Sequence, residues 1–368
     1  MKQKKVKFIP RDKTQFATVL HSRVNEYFAA NKISHFGNWA LKLKTVILMS
    51  GYVLPFVAML IFIPNPWISF ALFALMGFAK AGIGMSVMHD ANHGSYSKNR
   101  YVNWWMSHVL HILGGSTHNW RLQHNILHHT YTNIDKMDDD IQDRVIMKFS
   151  PHSKTKSYHK HQWIYSFFFY TLLTLYWVAA KDYVQYKTYT ARGLHKMTST
   201  QNAWWLVRVS IMKVSYLFVF LALPILLGMH WYVVIGGFIL MHLIASFIIT
   251  VTFQLAHTLE ETKHPLPNTE GVIENDWAIH QLETTVNFAP NNKILSWYMG
   301  GLNYQVEHHL FTRISHVHYP KIAPIVRKTA KEFGVPYLVN PTLWSAMSSH
   351  IRFLKTLGRM PNLNEALG

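Results

Sequence analysis

The chain has no cysteine, which removes thiolate-ligated haem, iron–sulfur clusters, cysteine-ligated zinc and a disulfide scaffold from its chemistry. Charge is scarce. Only 15% of the residues are Asp, Glu, Lys or Arg, against about a quarter in an ordinary soluble domain. Acid is scarcer still, with 18 Asp and Glu against 36 Lys and Arg, a formal net charge of +18. No internal repeat or low-complexity tract occurs, so a collagen-like or disordered chain is excluded. What is abundant is apolar surface and histidine: 49% of the residues are hydrophobic and 24 of 368 are His. A chain this apolar and this basic divides into membrane spans and basic ends, and nothing points to nucleic acid.

Four apolar runs are long enough to cross a hydrocarbon layer of about 30 Å. They cover about 45–63, 67–88, 209–228 and 231–253. Pro64, Asn65 and Pro66 join the first two, and Met229 and His230 join the last two, so the spans form two hairpins. The run 104–115 is too short to span and is expected to be interfacial or re-entrant; 163–180, dense in Trp and Tyr, is also expected at the interface. Neither connector holds Lys or Arg, whereas 1–44, 89–208 and 254–368 are basic. By the positive-inside rule these three segments and both termini are expected to be cytoplasmic. The N-terminus is basic, with Lys2, Lys4, Lys5, Lys7, Arg11 and Lys13, and no cleavable signal peptide is expected.

The histidines cluster in those same segments. HDANH sets His89 and His93 four apart, on one helix face. HNILHH sets His124 and His128 on one face, with His129 expected about 100° away and free to serve a second metal. QVEHH carries Gln305, His308 and His309, and His257 follows the last span by four residues. Imidazole suits Zn, Cu, Fe and Ni, and eight His are too many for one ion, so two metals of about four ligands each are expected. Metal-bound His donates its other ring N–H to a carboxylate or carbonyl, a role that suits Asp90, Asp138, Asp139, Asp140 and Glu307. A single pair of His four apart carries little weight; three clusters on one expected membrane face carry much more. The remaining His have ordinary readings. His152, His159 and His161 are expected on a solvated basic loop. His108, His111 and His242 are expected to pack in apolar segments, and His118, His280 and His316 to be outer partners at most.

HDANH, HNILHHTYTN and GGLNYQVEHHLF resemble the three histidine boxes of the integral-membrane fatty acid desaturases, over about residues 40 to 330. The Gln that opens the third box is similar to that of the front-end (Δ5 and Δ6 type) branch and of bacterial linoleoyl-CoA desaturase-like proteins. The resemblance implies an all-α membrane protein of four spans in two hairpins, with interfacial helices and a cytoplasmic helical cap over a histidine-rich dimetal site. It implies two non-haem Fe, O2 as co-substrate, and His89, His93, His124, His128, His129, His257, Gln305, His308 and His309 as ligands. No further catalytic residue is implied. Residues 1–44 are then a basic N-terminal segment, 45–330 the desaturase domain and 331–368 a C-terminal tail. No HPGG haem motif occurs, so the electron donor is expected to be a separate ferredoxin or cytochrome b5 type protein with its reductase. The second box spaces its His by three residues where many relatives have two.

The implied reaction is O2-dependent formation of a cis double bond in an already unsaturated acyl chain carried on CoA or a phospholipid, in a bacterial inner membrane. A methylene chain offers no polar handle near its reacting carbons, so an apolar tunnel and a fixed headgroup must set the position. A hydroxylase of acyl chains, alkanes or carotenoids on the same scaffold is the nearest rival. A histidine-rich metal transporter needs polar ligands inside the spans, where His242 stands alone; a zinc hydrolase is a weaker rival still.

Overall fold

The structure, a computed structural model, describes residues 6–10, 15–141 and 146–361. Lys2, Lys4, Lys5, Arg11 and Lys13 lie outside the described residues. The chain divides into two units. One takes in Trp39–Arg121 and Phe168–Val251; the other takes in Lys4–Asn38, Leu122–Phe167 and Thr252–Gly368.

The first unit is the apolar one. Four helices are long and apolar enough to cross a membrane: Trp39–Phe62, Pro66–His93, Ser199–Leu226 and Trp231–His257. Asn65 starts the second by accepting a hydrogen bond from the backbone N–H of Ile68 at 3.1 Å, with Pro66 in the first turn where its missing N–H costs nothing. At 28 residues that helix is about 42 Å long, more than the apolar layer needs. It therefore runs past the expected end at 88 and carries the whole first box as its last turn, stopping at Gly94 in the left-handed region (φ 75°). The fourth helix runs past its expected end in the same way, to His257.

The second and fourth spans meet at backbone distance. A Cβ on Gly77 would stand 2.8 Å from the carbonyl oxygen of Met241, so only glycine fits there. Lys80 is fully buried between spans, with its ammonium 2.9 Å from the Tyr216 hydroxyl and 3.3 Å from His242 Nε2. Thr174 Oγ1 holds the other nitrogen of His242 at 2.8 Å. His242 is thus a hydrogen-bonded packing residue, as expected. Lys213 in the third span forms a buried ion pair with Asp182 at 2.8 Å, and Asp182 accepts from the side-chain amide of Asn119 at 3.3 Å.

Neither of the two stretches expected at the interface forms a straight helix of spanning length. Arg100–Ile112 is a 13-residue helix of about 20 Å with Tyr101, Trp104 and Trp105 exposed on one side. Residues 157–191 form two helical runs, Ser157–Tyr170 and Leu173–Ala191, bent by 64°.

The second unit is a helical body with its own core. Phe16, Leu20, Val24 and Phe28 recur every four residues and are all buried, so Phe16–Ala30 is an amphipathic helix. It packs on Tyr319–Glu332 through Ile322, Val326 and Ala330. Each such apolar side chain contributes about 1.5–3 kcal/mol on burial. Two short parallel ladders, Lys7–Phe8 with Val272–Ile273 and Asn287–Phe288 with Val339–Asn340, tie distant segments together. Within 331–368, Leu343–Leu357 forms a helix that buries Leu354 and Leu357. His350 on the same helix is held by the Thr258 carbonyl oxygen at 2.8 Å.

Candidate metal centre

The second box does not wind as an α-helix. Arg121–His128 is π-helical, and its bonding reaches five residues rather than four. Residues five apart therefore come together, and His129 Nε2 lies 3.2 Å from His124 Nε2 instead of pointing away from it. The expectation that His129 faces elsewhere assumed α-helical winding and is corrected by this turn. The third box is a short helix, Gln305–Leu310, entirely buried. Gly301, at φ 66°, turns the chain into it and lies so close to His316 that a Cβ would stand 3.0 Å from that side chain.

His128, His257 and His309 converge. Each is fully buried, one ligand atom from each lies within 4.8 Å of the others, and their Nε2 atoms have no hydrogen-bond partner. The opposite nitrogen of each ring is occupied. His128 Nδ1 donates to both carboxylate oxygens of Asp138 at 3.0 and 3.1 Å. His257 Nδ1 donates to the Thr284 carbonyl oxygen at 3.3 Å, and His309 Nδ1 to Gln281 Oε1 at 2.8 Å. Each proton is thereby fixed on the outer nitrogen and each inner lone pair faces the other two, which is the pattern of metal-binding imidazoles. Three buried, unpartnered acceptors facing one another fit a cation and little else. The side-chain oxygen of Gln305 is likewise buried without a hydrogen-bond partner.

Two further groupings share these rings. His129, His308 and His309 offer atoms within 4.8 Å of one another, as do His124, His128 and Asp140. His308 Nδ1 lies 3.2 Å from the Tyr319 hydroxyl. In the membrane unit, His89 and His93 stand one turn apart with ring centroids 4.7 Å apart. Trp120 packs edge-on against both, at 5.8 and 5.9 Å. Asn92 between them accepts from Arg121 Nε at 2.9 Å.

Of the acids, Asp138 is buried beneath the second box. It also accepts from the backbone N–H of Asn133 and of Asp140, each at 2.9 Å. Burial works against charge on His128, but the Asp138 carboxylate outweighs it and lifts the imidazole above its ordinary range. Asp140 takes the Gln123 amide and lies 3.5 Å from His124 Nδ1. Asp90 and Asp139 are buried. Glu307 contacts other groups: it accepts from the Tyr337 hydroxyl at 2.7 Å and the Asn287 amide at 2.8 Å, and burial pushes its carboxyl up to about 7. His309 is held well below its ordinary range by burial and by its histidine neighbours, so it is neutral and able to coordinate.

The outer acceptors Gln281 and Thr284, and Thr132, which donates to Gln281 at 2.9 Å, carry no sequence signal, since amides and hydroxyls in a helix are common. His280 is buried and donates to the Thr132 carbonyl at 2.9 Å, supporting the same cluster from behind. His159, expected on a solvated loop, is instead buried: a 3₁₀ turn folds it back to accept from the Lys156 N–H at 3.1 Å.

Comparison with known proteins shows the family. The profile of the family described as "Fatty acid desaturase" matches residues 65–341. An "sn-1 linoleoyl-lipid 6-desaturase" of Arthrospira platensis is 35% identical over 94% of this chain and 93% of its own length. One of the same description from Synechocystis sp. is 34% identical over 94% and 96%. An "Acyl-lipid (8-3)-desaturase" of Physcomitrium patens is 34% identical over 97% of this chain and 74% of its own. With four apolar helices of spanning length, a buried histidine cluster able to hold metal and these relatives, the chain belongs to the fatty acid desaturase family, integral-membrane oxidoreductases of lipid metabolism.

Proposed function

We propose that this chain is an O2-dependent acyl-lipid desaturase of the front-end type, with two non-haem iron ions held by the histidine boxes. The observation that carries the reading is the convergence of the unpartnered Nε2 atoms of His128, His257 and His309. Those three are proposed for one iron. His89, His93, His124, His129, Gln305 and His308 are proposed as the remaining ligands. The overall change removes one hydrogen from each of two neighbouring CH2 groups. With O2, two electrons and two protons, it yields a cis double bond and two waters.

Iron bound here would supply the oxidising chemistry that an unactivated C–H bond requires and that no side chain offers. The chain's own contribution is placement. Asp138, Thr284 and Gln281 keep the outer nitrogens protonated and the inner ones open, and complete burial keeps bulk water from the site. The electrons come from a separate donor, proposed to be a ferredoxin or cytochrome b5 type protein with its reductase.

Front-end regiochemistry is supported by the Gln that opens the third box and by the names of the Arthrospira and Synechocystis relatives, both 6-desaturases. The test is to express the chain with a donor and supply linoleoyl lipids and acyl chains of differing length. The new double bond is expected at a constant distance from the carboxyl carbon. A constant distance from the methyl end would refute the front-end reading, and a hydroxylated product would refute desaturation itself.

The proposed orientation places the boxes on the cytoplasmic side of a bacterial inner membrane. The Cys-free chain allows single probes at exposed positions. Cys at Asn65 or His230 should react with an impermeant maleimide from outside, and Cys at Lys154 or Lys196 only after permeabilisation. Outside labelling at Lys154 or Lys196 would reverse the orientation or add a span.

A further inference from the structure

One cavity is lined by none of the box histidines. It measures about 510 Å³ and is lined by Lys196, Thr200, Gln201, Trp204, Trp205 and Arg208 among others. All of these belong to the membrane unit. The sequence places them so by periodicity. Thr200, Trp204 and Arg208 are each four apart, so one face of the helix Ser199–Leu217 forms a wall, and Lys196 is brought in from the turn before it.

Depth follows from length. The span Ser199–Leu226 has 28 residues, about 42 Å, so some 12 Å or eight residues exceed a 30 Å apolar layer. The excess belongs at the N-terminal end, which reads Ser199, Thr200, Gln201 and Asn202, while the other end closes on Leu223, Ile225 and Leu226. Trp204 and Trp205 then fall at the boundary, where tryptophan is preferred, and Trp204 is 60% exposed. The cavity therefore straddles the boundary: Lys196 and Thr200 stand at the level of lipid phosphates, and Arg208, two residues inside the layer, has a side chain long enough to reach that level.

Its charge is uncompensated. Among the described residues neither Lys196 nor Arg208 forms an ion pair, and the acid of this region, Asp182, is already paired with Lys213. The cavity also lies at the positive end of a long helix, capped by Thr198, whose hydroxyl accepts from the Gln201 N–H at 3.3 Å. Behind Trp205 packs His195, buried, with both ring nitrogens lacking hydrogen-bond partners.

We propose that this cavity binds the phosphate headgroup of a membrane lipid, with Lys196 and Arg208 pairing its charge and Trp204 and Trp205 flanking its glycerol. The shared chemistry is a phosphate at an interface; the lipid is favoured over a soluble phosphate because two tryptophans, one of them 60% exposed, line the cavity beside the two basic residues. The site requires nothing of the oxidation chemistry and is tested by binding alone.

The experiment uses the whole chain in phosphatidylcholine nanodiscs with spin-labelled phosphatidylglycerol, or with spin-labelled diacylglycerol, which lacks the phosphate. The wild type is expected to immobilise about one phosphatidylglycerol in preference to diacylglycerol. Lys196→Ala with Arg208→Ala should weaken that preference roughly tenfold or more, since each basic residue near the surface adds to anion affinity. Lys196→Arg with Arg208→Lys should keep most of it. Equal retention of diacylglycerol by the wild type would overturn the proposal, as would an unchanged preference in the alanine variant. Displacement of the lipid by millimolar inorganic phosphate would assign the cavity to a soluble anion instead. Should the alanine variant not fold, the wild-type comparison and the charge-keeping variant still decide.

Discussion

His309→Ala is expected to lose both turnover and metal, because His309 stands in two of the three-residue groupings and has no surplus neighbour to replace it. Four-ligand metal sites in proteins bind with roughly 10–16 kcal/mol, so one imidazole carries about 3 kcal/mol, or about two orders of magnitude in affinity. Anaerobically purified wild type should hold about two iron ions per chain, and the variant one or fewer, with product below detection by gas chromatography of extracted acyl chains. Removing the ring also leaves Gln281 Oε1 without the imidazole donor at 2.8 Å, but Thr132 still reaches it at 2.9 Å, so the fold should survive. The control is His161→Ala, exposed and outside the cluster, which should match the wild type in both assays. His159 is unsuitable as a control because it is buried. Wild-type iron content in His309→Ala would remove the histidine cluster as the metal site.

Asp138→Ala should cost about ten- to a hundredfold in metal affinity without removing a proposed ligand, the usual penalty for losing the acceptor behind a coordinating imidazole. Asp138 also satisfies two backbone N–H groups, at Asn133 and Asp140, so the alanine variant leaves three donors short of a partner, two of them fully buried. Each such orphan costs about 1–3 kcal/mol, and a lower melting temperature should accompany the lost affinity. Asp138→Asn separates the two effects. Its one remaining oxygen can accept from a subset of those donors, so stability should recover further than affinity does. Competition against a calibrated chelator measures the affinity, and thermal unfolding of the metal-free protein measures the stability. If Asp138→Ala kept wild-type affinity, the carboxylate would be a scaffold for the 133–140 loop and no part of the metal centre.

Much of this was legible in the residues. The four spans were, because a run of twenty apolar side chains has few alternatives and the basic residues sort themselves around it. The boxes were, because HxxxH and HH pairs in three places have no common structural reason. The helix ends were less so: hydropathy marks where polar residues begin, whereas the helices continue through HDANH and to His257 on backbone bonding alone. The placement of His129 was misjudged because a spacing rule presumes a winding, and the π-helical turn at Arg121–His128 changes it. Gln281 and Thr284 were invisible because their role depends on which carbonyl or amide faces a ring distant in sequence. The helix Phe16–Ala30 had a readable signal, apolar residues at every fourth position, hidden in a segment noticed for its charge.

The histidine cluster has a further consequence for the life of the chain. Asp138, Thr284 and Gln281 hold three inner ring nitrogens toward one another whether or not anything lies between them. In a chain without metal those nitrogens are left unsatisfied in a dry interior, kept there by hydrogen bonds on the far side of each ring. A cation satisfies them and binds the folded state alone, so occupancy adds directly to the persistence of the protein. If the metal is the iron proposed above, newly made chains in an iron-poor cell would be the ones that open most readily and meet proteases first, and the amount of enzyme would follow the supply of that metal.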